Sequence, residues 1–314
     1  MQNIVVVGPG ALGCLLAANL SRQGREPVWL LDHDPDRAAD VQQNGLTVER
    51  GGQVEHFPVR CTVDPALIGA ADLVLLTVKS MAVPASLPAL VPLLDGHSLL
   101  LAFQNGIGHL PYLRDSTLPG AWGLAVTSMG ATQLGPGRIR FGGAGRTVLG
   151  LAQAGRGMAA ESRLAAAARL LNDAGMETVI SNDILSQVWN KLLANVGINA
   201  LTAIHDCENG GLLERPEALR LLRAAVLEAA TVATAKGIPL PPDPVAWVMV
   251  VCRSTATNLS SMLQDVRRRR PTEIDAINGA VLAEAKRLEL AAPVNAELVV
   301  AVKAMEQGYL ADSP

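Results

Sequence analysis

The chain of 314 residues carries 26 Lys plus Arg against 29 Asp plus Glu, for a formal charge of −3, and only 3% of it is aromatic. It offers neither the basic surface nor the stacking platforms that a nucleic-acid partner needs. Hydrophobic residues at 49% against 18% charged residues exclude a mostly disordered chain, and the length suits about two domains.

Asn3-Ile4-Val5-Val6-Val7 predicts a buried strand at the start of the chain, with no positively charged leader, so no secretory signal is expected. A Gly-rich turn follows, then an amphipathic helix from Ala11 to about Gln23 that Gly24 stops. Val28-Trp29-Leu30-Leu31 reads as a second strand ending at Asp32, and Pro35 as the first turn of the next helix. Leu73 to Val78 and Ser98 to Phe103 are further strands on either side of a Pro-punctuated crossover segment. Strands alternating with helices imply a parallel sheet covered on both faces.

From Ala121 to Leu151, short runs such as Arg138-Ile139-Arg140-Phe141 and Thr147-Val148-Leu149 read as antiparallel hairpins extending that sheet, and Gly175 to Ile180 as a last strand. Beyond Asp183 the period is helical almost to the end, broken at Gly210-Gly211, Gly237 to Pro244 and Pro271. The expected organisation is an α/β domain over 1–182 followed by an all-α domain over 183–314. Within the helical half, Val245 to Cys252 falls far short of the ~20 apolar residues that cross a bilayer, so no membrane partner is expected. The basic run Arg267 to Arg270 reads as a solvated helix face. Cys14, Cys61, Cys207 and Cys252 are scattered, as are five histidines, which suits reduced thiols in the cytoplasm and no metal site.

Gly8-Pro9-Gly10-Ala11-Leu12-Gly13 fits G-x-G-x-x-G and sits after a strand at the mouth of a helix, where a Rossmann fingerprint cradles a pyrophosphate. Asp32 lies where a carboxylate could accept from the adenosine ribose hydroxyls, which favours NAD(H), or it is a turn residue whose charge His33 or Arg37 could offset. Lys191, Asn195 and Asn199 recur every four residues and form one polar stripe on an otherwise apolar helix. Such a stripe needs a ligand, water or partner surface to be tolerated. Asn258 and Ser261 could share a helical face. Pro271-Thr272-Glu273-Ile274-Asp275 reads as a helix start capped by Thr272, with Asp275 reaching back. In that setting Glu273 could serve only the helix dipole, worth about 0.3 to 1 kcal/mol.

Together these residues amount to a resemblance. The glycine motif, Lys79, Phe103-Gln104-Asn105-Gly106, Lys191 with Asn195 and Asn199, Asn209-Gly210, and Asn258-Leu259-Ser260-Ser261-Met262 through Thr272-Glu273-Ile274-Asp275-Ala276-Ile277-Asn278-Gly279 resemble the ketopantoate reductase family over nearly the whole chain. The resemblance implies a Rossmann domain followed by a 6-phosphogluconate-dehydrogenase-like helical domain, with a cleft where NADPH reduces 2-dehydropantoate to pantoate for coenzyme A synthesis. It implies Lys191 as general acid and Glu273 as the partner of the substrate hydroxyl. Asn195, Asn199, Asn209, Asn258 and Ser261 are then substrate ligands, and Lys79 and Asn105 lie beside the nicotinamide. Asn105 is shared between the cofactor and substrate sets.

Family members that grip the 2′-phosphate with an arginine after the second strand differ here, since this chain has Leu31-Asp32. NADP(H) is the cofactor by resemblance and NAD(H) stays open through Asp32. Another branched 2-oxo acid as substrate, or a dinucleotide-binding sensor without turnover, are the alternatives. A homodimer with the helical half as dimerisation domain is also open.

Overall fold

The computed structural model describes residues 1, 3–22, 28–152 and 157–311. It divides into two compact units, one of Met1–Gln104 with Tyr112–Ile184, the other of Asn105–Pro111 with Leu185–Pro314. The second unit thus takes in a short piece of chain from the middle of the first.

In the first unit the strands are β1 (Ile4–Val7), β2 (Trp29–Leu31), β3 (Leu46–Arg50), β4 (Gln53–Phe57), β5 (Arg60–Thr62), β6 (Leu73–Leu76), β7 (Leu99–Ala102), β8 (Ala121–Thr127), β9 (Gly130–Gly135), β10 (Arg138–Gly143), β11 (Thr147–Leu151) and β12 (Thr178–Ile180). Eight of them form one sheet in the order β12-β11-β8-β7-β6-β1-β2-β5. From β8 through β5 all neighbours are parallel, while β11 runs antiparallel to β8. β1, β6 and β7 are buried at every residue, as Val/Leu runs are when both faces of a parallel sheet are covered.

The covering helices are α1 (Ala11–Ser21), α2 (Pro35–Asn44), α3 (Val83–Leu90) and α5 (Gly157–Asp173), with a short α4 at Leu110–Arg114. Asp34 caps α2 by accepting from Asp36 N and Arg37 N at 3.1 Å each, and Pro35 sits at its first position as the sequence implies.

Two sequence expectations change here. Arg138 to Phe141 does not extend the large sheet: β9 and β10 join β3 and β4 in a separate four-stranded sheet, β4-β3-β10-β9, whose parallel β3·β10 pair joins residues 91 apart. Thr147 to Leu149 does extend the large sheet, through β11. The second change follows from the first. α1 packs against β1 and also against β3, β9 and β10, so it is buried from Gly13 to Leu20. It is a helix apolar all round and not amphipathic. The expected stop at Gln23-Gly24 lies outside the described residues.

The second unit is helical: α6 (Ile184–His205, with Ile184 in the first unit), α7 (Pro216–Ala235), α8 (Pro244–Ser254), α9 (Ser261–Arg267), α10 (Asn278–Arg287) and α11 (Pro293–Leu310). A buried polar tie holds four of them together. Asn278 Nδ2 donates to Val196 O at 3.3 Å and Asn295 Oδ1 at 3.0 Å, and Asn295 Nδ2 donates to Glu228 Oε2 at 2.7 Å and Ala225 O at 3.1 Å. Glu228 also accepts from Val294 N and Asn295 N at 2.9 Å. It therefore satisfies the first turn of α11, whose own N-cap, Ala292, has no side chain to do so.

Three further expectations are corrected. The helix after Pro271 starts at Asn278: Thr272 Oγ1 does accept from Ile274 N at 3.2 Å, but it caps a turn over Thr272 to Ile277 and no reciprocal capping box closes. The reason is competition: Thr272 N is taken by Glu306 Oε1 at 2.6 Å and Asp275 Oδ1 by Lys303 at 2.7 Å. Asn258 and Ser261 do not share a helical face, because Ser260 caps α9 by accepting from Leu263 N at 3.1 Å and leaves Asn258 in the preceding loop. The basic run is no helix face either: α9 ends at Arg267, which pairs with Asp206 at 2.7 Å, and Arg268 to Arg270 follow the helix.

Candidate active site

The glycine turn is built on backbone. Gly8 has φ +97°, a left-handed conformation that favours glycine. A Cβ on Gly13 would lie 2.2 Å from Gly8 O and 2.6 Å from Thr77 Oγ1, so α1 can approach β1 only without a side chain there. At Gly10 a Cβ would meet nothing within 4 Å. Gly10 caps α1 with no side-chain acceptor, which leaves the helix mouth open. Together with the buried parallel strands this arrangement fits a dinucleotide pyrophosphate, bound by N–H groups and the positive end of α1. Pro9, Ala11 and Leu12 complete the turn.

Two residues that the motif does not contain brace it. Thr77 Oγ1 lies 2.7 Å from Gly8 O and 2.9 Å from Val7 O, and Gln104 Nε2 donates to Leu76 O at 2.9 Å and Val78 O at 3.0 Å. The loop carrying Lys79, which is half-buried, is thereby tied to both β1 and the end of β7. Only the pairing of β6 with its neighbours reveals this: the sequence held no signal for Thr77, and it marked Gln104 only as part of the Phe103-Gln104-Asn105-Gly106 stretch of the resemblance, with no role.

Asp32 is buried and its side chain is fully covered. Arg37 grips it with two guanidinium nitrogens, Nε donating to Oδ2 at 2.6 Å and Nη2 to Oδ1, while His33 N and Asp34 N donate to Oδ1 at 2.7 and 3.2 Å. Arg37 is 25% exposed at the side chain.

In the second unit, α6 carries Lys191, Asn195 and Asn199 on one stripe. Asn199 is buried and its Nδ2 lies 3.5 Å from Ser261 Oγ, so the stripe meets the start of α9. Thr202, one turn on, donates to Ser260 Oγ at 2.7 Å and fixes that meeting. Asn195 Nδ2 is buried with no partner among the described residues, an orphaned donor of the kind a ligand satisfies.

Asn105 Nδ2 donates to Glu273 Oε2 at 3.0 Å. The link depends on a close approach of backbone: Ile107 N donates to Ala276 O at 3.0 Å, and a Cβ on Gly106 (φ +74°) would lie 2.0 Å from that oxygen. The turn that displaces the start of α10 thus presents Ala276 O to the 105–111 segment and Glu273 to Asn105. Asn209 stands apart from this group in its bonding. It is buried, donates from Nδ2 to Thr255 Oγ1 at 2.9 Å and, through its backbone N, to Asn258 O at 3.0 Å. Asn258 and Ser261 are exposed.

Lys191 is the electrostatic centre. Burial pushes its pKa from 10.5 down to about 8, against the opposing pull of the Glu273 carboxylate. At that value the ammonium is mostly protonated near neutrality and yields its proton far more readily than an exposed lysine. Among the described residues no cluster of His, Cys, Asp or Glu could hold a metal ion, and no helix is long and apolar enough to cross a membrane.

Comparison with known proteins agrees with this geometry. The ketopantoate reductase PanE/ApbA family profile matches residues 4–154, and its C-terminal counterpart matches 183–306. The chain belongs to the ketopantoate reductase family. A 2-dehydropantoate 2-reductase of Halobacterium salinarum is 35% identical over 93% of this chain and 95% of its own. A PanE/ApbA family ketopantoate reductase from Ralstonia eutropha JMP134 superimposes with a TM-score of 0.86 at 29% identity, covering 98% of this chain and 99% of that one. A D-mandelate dehydrogenase, solved with NADH and anilino(oxo)acetate, superimposes with a TM-score of 0.89 at 26% identity over the same shares.

Proposed function

We propose that this chain reduces 2-dehydropantoate to pantoate with a nicotinamide dinucleotide, Lys191 acting as general acid. The observation that carries the reading is the polar group of the second unit: a lysine with its pKa lowered to about 8, on a stripe with Asn195 and Asn199, under the influence of Glu273. A dinucleotide held by its pyrophosphate at the glycine turn would supply the hydride from its dihydronicotinamide. Lys191 donates a proton from Nζ to the carbonyl oxygen as negative charge develops there, which turns the ketone into the alcohol. Glu273, held by Asn105, accepts from the substrate's terminal hydroxyl. Asn195, Asn199, Asn258 and Ser261 orient the 2-oxo acid, and Asn209 shapes the loop beside Asn258.

For the cofactor we infer NADP(H). Asp32 is already saturated by Arg37 and two backbone N–H groups, so its charge is offset and neither oxygen waits for a ribose hydroxyl. The exposed part of the Arg37 guanidinium is the group that supports 2′-phosphate recognition, in place of the arginine other members carry after β2. The same reading puts the enzyme in the cytoplasm, in keeping with its four free cysteines. Homodimerisation belongs to it as well, supported by Leu227, Val250 and Val300, apolar side chains 54%, 57% and 69% exposed on α7, α8 and α11.

The D-mandelate dehydrogenase likeness supports a second reading, reduction of a different 2-oxo acid with NADH. A panel of ketopantoate, 3,3-dimethyl-2-oxobutanoate and benzoylformate against NADPH and NADH decides between them. The highest kcat/KM is expected for ketopantoate with NADPH. A preference for benzoylformate with NADH would transfer the assignment to the second reading, and no oxidation with any pair would leave a dinucleotide-binding sensor. Arg37→Gln should then lower NADPH preference by about 10-fold, the loss of one charge-assisted contact.

A further inference from the structure

Gln104 sits two residues beyond β7, and its amide has only one orientation open to it. Nε2 donates to Leu76 O and Val78 O, two acceptors that a flipped amide oxygen would repel. Oε1 must therefore point away from them, and there it is buried with no partner among the described residues. A buried acceptor left without a donor is costly, so a donor belongs at that position when the protein works.

Sheet order says which part of a ligand lies nearest. β1 is flanked by β2 on one side and by β6 and then β7 on the other. In such a sheet the pyrophosphate takes the turn after β1, and the two nucleoside halves spread over the C-terminal ends of the strands to either side. Asp32 and Arg37 follow β2 and mark the adenosine side. The ends of β6 and β7, where Gln104 stands, receive the other half. Resting on the dinucleotide reading above, we propose that Gln104 Oε1 is an acceptor for the nicotinamide nucleoside, taking either a carboxamide N–H or a hydroxyl of its ribose. The two hydrogen bonds from Nε2 fix the oxygen in advance, so that little ordering remains to be done on binding.

The test is calorimetric titration of wild type and Gln104→Met with four ligands: NADP+, its 3-acetylpyridine analogue, 2′-phospho-ADP-ribose, and 2′,5′-ADP. The analogue has a methyl ketone where the carboxamide N–H2 was, the third ligand lacks the ring, and the fourth ends at the adenosine half. Gln104→Met should weaken NADP+ by about 5-fold or more and leave 2′,5′-ADP within about twofold. If the carboxamide is the donor, the analogue and 2′-phospho-ADP-ribose bind both proteins alike. If the ribose is the donor, both lose affinity along with NADP+. Equal weakening of all four ligands would reduce Gln104 to a brace of the Val78 loop, and unchanged NADP+ affinity would give Oε1 to a buried water. Either result overturns the proposal. A wild type that binds none of the four overturns the dinucleotide reading beneath it, a result distinct from these.

Discussion

The glycine turn and the group around Lys191 are built from different materials. In the first unit the turn is main chain: Gly8, Gly10 and Gly13 matter for the side chains they lack, and β1 and α1 set the positions of the N–H groups. In the second unit the group consists of side chains from residues as far apart as Asn105 and Glu273, placed by hydrogen bonds or by burial. A backbone site tolerates no added atom, whereas a side-chain site tolerates shape changes but not changes in charge or hydrogen bonding. Substitutions that preserve volume should therefore be nearly silent in the first and severe in the second.

The severest case is Lys191→Met, which keeps the length of the side chain and removes the proton. Turnover should fall by about 10² to 10⁴-fold, with cofactor affinity little changed and no loss of melting temperature, since a buried ammonium is a liability to folding. With the wild-type ammonium near 8, kcat should be highest below that pH and decline as pH rises through it, and the decline should vanish in the variant. A variant with more than about a tenth of wild-type kcat would sink Lys191 as the acid.

Gly13→Ala adds a single methyl group where the sequence motif forbids it, 2.2 Å from Gly8 O. Neither partner is a flexible side-chain end, so overpacking of about 1 to 3 kcal/mol is expected. That cost falls on stability; cofactor binding should weaken as well, because relieving the clash shifts the mouth of α1 away from Gly8, with kcat at saturating cofactor largely kept. The opposite split, intact binding and lost kcat, would show that the turn serves the chemistry and not the ligand's grip.

This contrast also explains what could be read from the sequence. The turn, β1, α2 and the polar stripe of α6 are local patterns, decided within a few residues, and each is found where the pattern puts it. Long-range partners decided the rest. Nothing near Thr272 announces that Glu306 takes its N–H, so a plausible capping box turned out to be a coiled turn. Nothing in Leu46 to Phe57 announces a parallel partner at Arg138, so the second sheet was missed and α1 mistaken for a helix with a wet face. The family resemblance gave Asn105 and Glu273 separate roles, and their pairing across 168 residues is legible only in the structure.

Glu273 illustrates the cost of that misreading. Outside the first turn of an α-helix it has no macrodipole to serve, and it accepts a hydrogen bond from Asn105 Nδ2 at 3.0 Å, which supports the proposed role as a partner for substrate. Glu273→Gln keeps the shape and removes the charge, so kcat/KM for ketopantoate should fall by about 10 to 10²-fold, the loss of a charge-assisted bond of roughly 1.5 to 3 kcal/mol. For 3,3-dimethyl-2-oxobutanoate, which lacks the hydroxyl, the loss should be several-fold smaller. Equal losses on the two substrates would place Glu273 with Lys191's electrostatics instead of with substrate recognition.

The smallest expected effect probes the segment that belongs to one unit by packing and lies within the other by sequence. His109, in the 105–111 segment, is 2% exposed, and neither ring nitrogen has a partner among the described residues. Burial pushes its pKa down to about 4, well below the ~6.5 of an unfolded chain. Between those values the unfolded chain binds the extra proton and the folded one does not. The stability this neutral imidazole retains is complete above about pH 6.5 and is lost as pH falls toward 4, at up to about 1.4 kcal/mol per unit. His109→Leu removes that proton uptake. Carboxylates such as Asp34 and Asp95, held low by backbone N–H groups, titrate alike in both proteins and cancel in the comparison. The melting temperature of His109→Leu should therefore decline less steeply than that of wild type between pH 7 and 4.5, while the two differ little in slope above pH 7. Parallel curves across the whole range would mean that the imidazole binds its proton equally in the folded and the unfolded chain, so that burial of the 105–111 segment imposes no penalty on the charged ring.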